Sequence, residues 1–397
     1  MSQRVAFFWI AYAFFVVMIG TTIPTPLFPI YEQRLGFGSL MVTVIFATYA
    51  VGVIAGLVLT GRLSDEIGRR RVLGFGLACA LLSAGVFLVA QGVGPLLVGR
   101  VLSGLSAGSF AGTATATLID LAPGGKRQRA AAIAVGVTLG GLGFGNLLSG
   151  LLAQTGVVPL RFPYWAHLAL LLPAVPAVFF APETVKISPH PRFRPQRLAV
   201  PKEVRGTFAR AALGGFSAFA FAGLFGSVGP TFLARFLGYP SHILAGAIMC
   251  SLFYASVAGQ LLVVRVSERT ALVSGDFATV CAALVTIVAL ATESLSLLIV
   301  AALAAGAGQG IAMGGGVAAL APETPEERRG EVNASFYVVL YVGLCVPIVG
   351  VGLLSGAAGL RAAGIALACV MAVLATVAGV SLLTRKRDAP AASPARP

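Results

Sequence analysis

Long apolar runs alternate with short polar loops from Val5 to Thr384. A helix needs about 20 consecutive apolar residues to cross a bilayer, and twelve runs reach that length: about 5–30, 39–61, 70–91, 96–120, 130–153, 163–182, 207–233, 241–264, 270–290, 295–319, 332–354 and 360–384. They are numbered spans 1 to 12. Charge is concentrated in the loops between them. The longest loop is polar, proline-rich and basic, and divides the spans six and six. The pattern therefore predicts an all-α integral membrane protein of two six-helix bundles, residues 1–184 and 207–384. They are joined by a linker, 185–206, and followed by a tail, 385–397.

The two halves echo each other at an offset of about 200 residues. Gly36-Phe-Gly-Ser precedes span 2 as Gly238-Tyr-Pro-Ser precedes span 8. Tyr49-Ala returns as Tyr254-Ala, Arg62-Leu-Ser-Asp65 as Arg265-Val-Ser-Glu268, and Leu121-Ala-Pro123 as Leu320-Ala-Pro322. Four matches in order predict a pseudo-symmetric pair of bundles with a binding site between them, an architecture built for alternating access.

Composition agrees: 57% of residues are hydrophobic and 11% charged, against about 25% charged in a soluble domain. The net charge of +14 is no sign of nucleic acid, because the cations sit in short loops, where they set topology. With the N-terminus in the cytoplasm, 23 of the 28 Lys and Arg fall on that side; Arg34, Arg161, Arg235 and Arg361 fall outside, and Arg100 lies within a span. The expected location is the inner (plasma) membrane, with both termini cytoplasmic. The five cysteines lie inside apolar runs without metal or redox spacing. Run 5–31 is too long for a signal-peptide core and reads as a retained span.

The loop after span 2 contains Gly61, Leu63, Asp65, Gly68, the triplet Arg69-Arg70-Arg71, and Leu73. Arg100, Gly104 and Gly108 are spaced by four in span 4, Pro24, Pro26 and Pro29 lie late in span 1, and Pro182-Glu183-Thr184 ends span 6. By these residues the chain resembles the major facilitator superfamily over essentially its whole length, and most closely its twelve-span drug:proton antiporters. One departure stands out. Where the antiporter signature in span 5 has proline and glycine, this chain has Asn146 and Ser149, in Gly145-Asn146-Leu147-Leu148-Ser149-Gly150.

A carboxylate at Asp65 suits the start of span 3, where it opposes the positive helix end. Arg69 is four residues on, within reach of it, and Asp120 ends span 4. The resemblance implies that this trio, with Gly61 and Gly68 shaping the loop, holds the two bundles together when the cytoplasmic side is closed. A solvated basic loop is the plainer alternative. Arg100 is the one basic residue well inside a span. It either faces protein and water as a functional group or snorkels to the interface. Its nearest plausible counter-charge is Glu32 at the outer end of span 1, which could equally be an ordinary loop carboxylate.

Few acids are available to carry protons. Asp276 in span 9 is inside an apolar run; Glu32, Asp120 and His167 complete the candidates. For Asp276 a structural and a coupling role weigh equally. The polar mid-span residues left to line a cavity are Thr21, Thr22, Thr25, Tyr49, Asn146, Tyr254, Gln309, Asn333, Tyr337 and Tyr341. Such a lining suits neutral or amphipathic solutes, and Arg100 would favour an anionic group.

The expected function is export of small lipophilic or amphipathic molecules by alternating access with proton antiport, performed by a monomer in the bilayer. A facilitator or importer of a small metabolite is the alternative. An integral membrane enzyme would need a cluster of His and carboxylates, and the three histidines are far apart. A receptor would need a sensing domain, and the loop 183–206 is too short to be one. No phosphate-binding loop and no cofactor site is present in the sequence.

Overall fold

The structure is a computed structural model that describes residues 2–190 and 195–384. The tail expected at 385–397 and residues 191–194 of the linker lie outside the described residues. No strand occurs among them, and twelve helices are long and apolar enough to cross a membrane.

The spans run Gln3–Leu35, Ser39–Thr60, Arg69–Val89, Val93–Asp120, Arg127–Gln154, Phe162–Phe179, Lys202–Ser227, His242–Val263, Glu268–Thr292, Leu295–Glu323, Glu326–Ala358 and Leu360–Thr384. The end of the molecule that carries loop 61–68 is termed the basic end; the other is the far end. Several spans outrun their apolar cores. Span 11 begins with an exposed polar turn at Glu326 and keeps Pro347 inside its helix, where packing against neighbouring helices makes one missing donor tolerable.

Span 1 is broken by its prolines. Residues Gln3–Thr22 are α-helical, Thr25–Leu27 form a 3₁₀ turn, and Phe28–Leu35 resume the helix. Pro24 and Pro26 have no N–H to give the preceding turn. Two of the carbonyls near the break are taken by side chains: Ser149 donates to Ile23 at 2.6 Å, and Arg100 Nη1 donates to Thr21 at 2.7 Å. Ser149 is one of the two departures from the antiporter signature, and here its hydroxyl satisfies a backbone group that the break has freed.

The halves are packed alike. In the first, span 4 packs against spans 2 and 3, and span 1 against spans 5 and 6. In the second, span 10 packs against spans 8 and 9, and span 7 against spans 11 and 12. Gly36 and Gly238, matched in the sequence repeat, both adopt left-handed backbone at φ 69° and 71° after short far-end helices. The halves meet where span 2 packs on span 11 and span 5 on span 8. Those two contacts are themselves exchanged by the repeat.

The tightest crossings are built from glycine. A Cβ on Gly104 would stand 2.1 Å from the Tyr49 carbonyl oxygen, and one on Gly108 2.3 Å from that of Val53. In the second half Gly306 and Gly310 meet the Leu252 and Ser256 carbonyls, each at 2.0 Å. Without a hydrophobic force between helices in lipid, such close backbone packing is what holds spans together.

Candidate functional site

Between the halves lies a cavity of about 420 Å³, lined by spans 1, 2, 4 and 5 on one side and 7, 8, 10 and 11 on the other. It extends from Thr25 and Arg100 in the middle of the molecule to Leu57, Ile119 and Gln260 near the basic end. Its volume falls within the ~300–1,000 Å³ of small-molecule sites. Of the residues expected to line it, Thr21, Thr22, Thr25, Tyr49, Gln309, Tyr337 and Tyr341 do so. One aromatic contact crosses it, Tyr341 to Tyr49 at 6.5 Å ring centre to ring centre, and Tyr341 stands 6.5 Å from Phe219 on its own wall.

Three expectations for the lining are corrected. Tyr254 is 49% exposed, lies beside Gly143 of span 5 and is absent from the lining, because one residue is about 100° of turn on a helix and its neighbour Phe253 faces the cavity instead. Asn333 is half-buried near the start of span 11, more than a turn short of Tyr337, and also absent. Asn146 is fully buried at the crossing of spans 5 and 8, where its backbone oxygen lies against Gly246. Its side-chain amide donates to the Leu142 carbonyl at 2.9 Å, and its Oδ1 has no partner.

Arg100 is 2% exposed and lines the cavity. It is no snorkelling residue. Nε donates to the Ile45 carbonyl at 3.3 Å, Nη1 to Thr21, and Nη2 to Phe46 at 3.2 Å. Its guanidinium carbon lies 4.6 Å from the Tyr49 ring centre and 5.5 Å from that of Phe46, a cation–π arrangement that favours the charge in a desolvated place.

Of the two alternatives for Glu32, pairing with Arg100 does not occur. Glu32 lies beyond the span 1 break, in helix Phe28–Leu35, which carries it toward span 7. It is 4% exposed and sits 3.3 Å from Arg235 Nη2, accepts from Thr231 at 3.3 Å, and accepts from Ser39 at 3.5 Å. Arg235 and Thr231 belong to the other half. Close by, His242 Nδ1 lies 3.1 Å from the Pro26 carbonyl, and its backbone N–H donates to Gln154 at 2.8 Å. The far end is thus closed by polar contacts across the halves.

At the basic end Arg69 pairs with Asp120 through Nη1 and with Asp65 at 3.6 Å, while Arg127 stands 3.9 Å from Asp120. These residues are brought together as expected, but within the first half. The expected hold on the two bundles belongs to a closed cytoplasmic side; among the described residues an ion pair that crosses the halves at this end is Arg62 with Glu331, at 3.9 Å. Gly61 ends span 2 beside Gln196 of the linker, whose backbone N–H donates to the Val58 carbonyl at 2.7 Å.

Asp65 does not cap span 3 either. That role belongs to Glu183 at the end of span 6, which accepts the N–H groups of Arg69 at 2.9 Å and Arg70 at 3.2 Å. Gly68 has φ 100°, and a Cβ there would stand 2.5 Å from Glu183 Oε2. The glycine is required twice, by its backbone and by the carboxylate seated against it. Glu183 lies outside the loop pattern; the only sign of it in the sequence is Pro182-Glu183-Thr184. Glu183→Ala frees two N–H groups at a helix start, which costs about 0.5–2 kcal/mol. A thermal melt in detergent is expected to shift downward, and an unshifted melt would place the capping elsewhere.

Asp276 is 5% exposed and lies outside the cavity. A Cβ on Gly214 of span 7 would stand 2.2 Å from its Oδ1, and one on Gly379 of span 12 would stand 3.4 Å from its Cβ. His167 is buried against span 1, with Nε2 3.0 Å from the Val16 carbonyl. Sequence reasoning missed the apolar part of the lining, including Phe46, Phe219, Met249, Phe253 and Met313. In so apolar a chain these look the same as residues that face lipid.

Residues 10–346 match the family model described as Major Facilitator Superfamily. The chain is similar to the cephamycin export protein CmcT of Amycolatopsis lactamdurans, at 30% identity over 49% of this chain and 39% of that protein. It is also similar to multidrug resistance protein 3 of Bacillus subtilis, at 35% identity over 21% of this chain and 16% of that protein. Quinolone resistance protein NorA of Staphylococcus aureus is 23% identical over 38% of each chain. The matches therefore span well under half the length of these relatives. Among solved structures, an inward-facing, unoccupied bacterial homologue of the human lysosomal transporter Spinster superposes with a TM-score of 0.74. That match has 16% identity and covers 96% of this chain and 98% of that one, so it shows a shared fold.

Proposed function

This chain belongs to the major facilitator superfamily, a family of transporters, and on that premise we propose that it exports small lipophilic or amphipathic molecules across the inner membrane by alternating access, in exchange for protons. The observation that carries the reading is the cavity of about 420 Å³ held between two similarly packed halves, apolar and aromatic in most of its wall. The names of the relatives, a cephamycin exporter and two drug-resistance proteins, support the direction. The basic end faces the cytoplasm, as the loop arginines and lysines favour, and the cavity therefore draws on the cytoplasmic side. Residues 1–184 and 207–384 rock as two bodies about the linker, in a monomer.

Proton exchange is assigned to carboxylates outside the cavity, Glu32 at the far-end closure, Asp120 at the basic end and Asp276 between spans 7, 9 and 12. One observation favours a second reading, facilitated movement of a small metabolite without antiport: no Asp, Glu or His lines the cavity among the described residues. Reconstitution in liposomes with an imposed pH gradient and a panel of lipophilic dyes separates the two. Antiport gives dye movement that accelerates several-fold with the gradient and is uncoupled in a variant of Glu32, Asp120 or Asp276. Movement indifferent to the gradient selects the second reading, and no movement of any dye removes the export reading.

A further inference from the structure

The cavity carries one formal charge among its described lining residues, and it is positive. Arg100 has no carboxylate partner: its three hydrogen bonds go to backbone carbonyls, and Glu32, the nearest acid expected from sequence, is engaged by Arg235. Carbonyl oxygens and ring faces orient and solvate a cation but do not cancel its charge. A guanidinium has five N–H donors. Three are spent here, which leaves one on each terminal nitrogen. Two such N–H groups are what a carboxylate or sulfonate takes in a two-point bond.

A purely architectural role would explain Arg100 as a clamp that gathers spans 1 and 2 onto span 4. The internal repeat argues against that. Arg100 precedes Gly104 by one helical turn, and Gly104 crosses span 2 as Gly306 crosses span 8. The residue one turn before Gly306 is Ala302, fully buried. The second half thus builds the same crossing with no cation. Burying an arginine where alanine suffices is costly and points to a use other than packing.

A second unmatched polar group faces the same space. Gln309 of span 10 is 4% exposed and lines the cavity, and its Oε1 has no hydrogen-bond partner. Its counterpart in the first half, one residue before Gly108, is Ala107. So at these matched positions of spans 4 and 10 each half places a polar side chain at the cavity where the other half has alanine, a cation on one wall and an unsatisfied acceptor on the other, joined on the second wall by the unpartnered Oε1 of Gln260.

Resting on the export reading above, we infer that the cargo is an amphipathic organic anion whose carboxylate or sulfonate binds Arg100. Its apolar body lies among Tyr49, Phe219, Tyr337 and Tyr341. An N–H or O–H donor on it meets Gln309, so the ligand spans both halves and reports its presence to each. A lipophilic cation, by contrast, would meet a like charge at the head of the cavity.

The experiment uses full-length protein and a matched series with one aromatic body and three head groups: naphthylacetate, naphthylacetamide and naphthylethylammonium. Equilibrium dialysis at neutral pH reads the affinities. The carboxylate is expected to bind at least tenfold more tightly than the amide or the ammonium. That preference is expected to vanish in Arg100→Gln and to survive in weakened form in Arg100→Lys. Should the variants fail to fold, the wild-type ranking decides by itself. Equal affinities, or preference for the ammonium, overturn the anion site; if dye export persists in the same preparation, the export reading stands. Absence of both binding and export overturns the two together.

Discussion

Replacing Gly104 with valine is expected to leave almost no folded protein in the membrane. Any Cβ at this position would stand 2.1 Å from the Tyr49 carbonyl oxygen and 2.8 Å from the Gly52 Cα. Both are backbone atoms, so no side chain can rotate away; spans 2 and 4 would have to separate. Overpacking a core costs about 1–3 kcal/mol when side chains can yield, and here the contact extends through Gly52, Gly56 and Gly108 along the whole crossing. Separation would also pull the Ile45 and Phe46 carbonyls off Arg100. Yield of monodisperse protein and its melting temperature in detergent are the readouts. Gly85→Ala in span 3, where an added Cβ meets nothing within 4 Å, serves as the control and is expected to behave as wild type. A valine variant with normal yield and melting would show that the crossing can widen at little cost.

The second large effect is conformational. Glu32→Gln is expected to open the far end by raising the population of the outward-open state about tenfold, which corresponds to about 1.4 kcal/mol. Glu32 is buried and takes part in contacts with Arg235, Thr231 and Ser39, two of them on the opposite half. Its partner Arg235 is half exposed, so solvent screens the pair and the loss is smaller than for a fully buried one. A glutamine keeps the shape and loses the charge, which isolates the ion pair from packing. Spin labels or fluorophores at exposed far-end positions on spans 1 and 7 would read the change as a longer distance. An unchanged distance distribution would mean that the packing of spans 5 and 8 holds the far end closed without help from the pair.

The architecture was legible because a bilayer permits few solutions. Backbone groups in lipid must bond within their own segment, so twelve apolar runs become twelve helices, and a repeat in Gly36 and Gly238 or in Leu121-Ala-Pro123 and Leu320-Ala-Pro322 predicts repeated packing. Arg100 was legible for a related reason, since a cation inside an apolar run must have partners. Its partners were not legible. They are the carbonyls of Thr21, Ile45 and Phe46, which every residue possesses and no sequence marks. Glu32 found its partner about 200 positions away, on the other half, and Glu183 took the capping role that proximity had given to Asp65.

Periodic hydropathy, loop charge and the internal repeat thus determine the helices, their pairing with lipid and the two-half plan, because each is a local property written residue by residue. The fold decides which faces of those helices meet the cavity, because a tyrosine such as Tyr341 and one such as Tyr254 differ only in the direction their turn presents. It also decides that Asp65, Arg69 and Asp120 stay within one half while Glu32 reaches across, and that Arg100 stands opposite Gln309 with no negative charge between them. Those are distances between chain segments far apart in sequence, and only packing can set them.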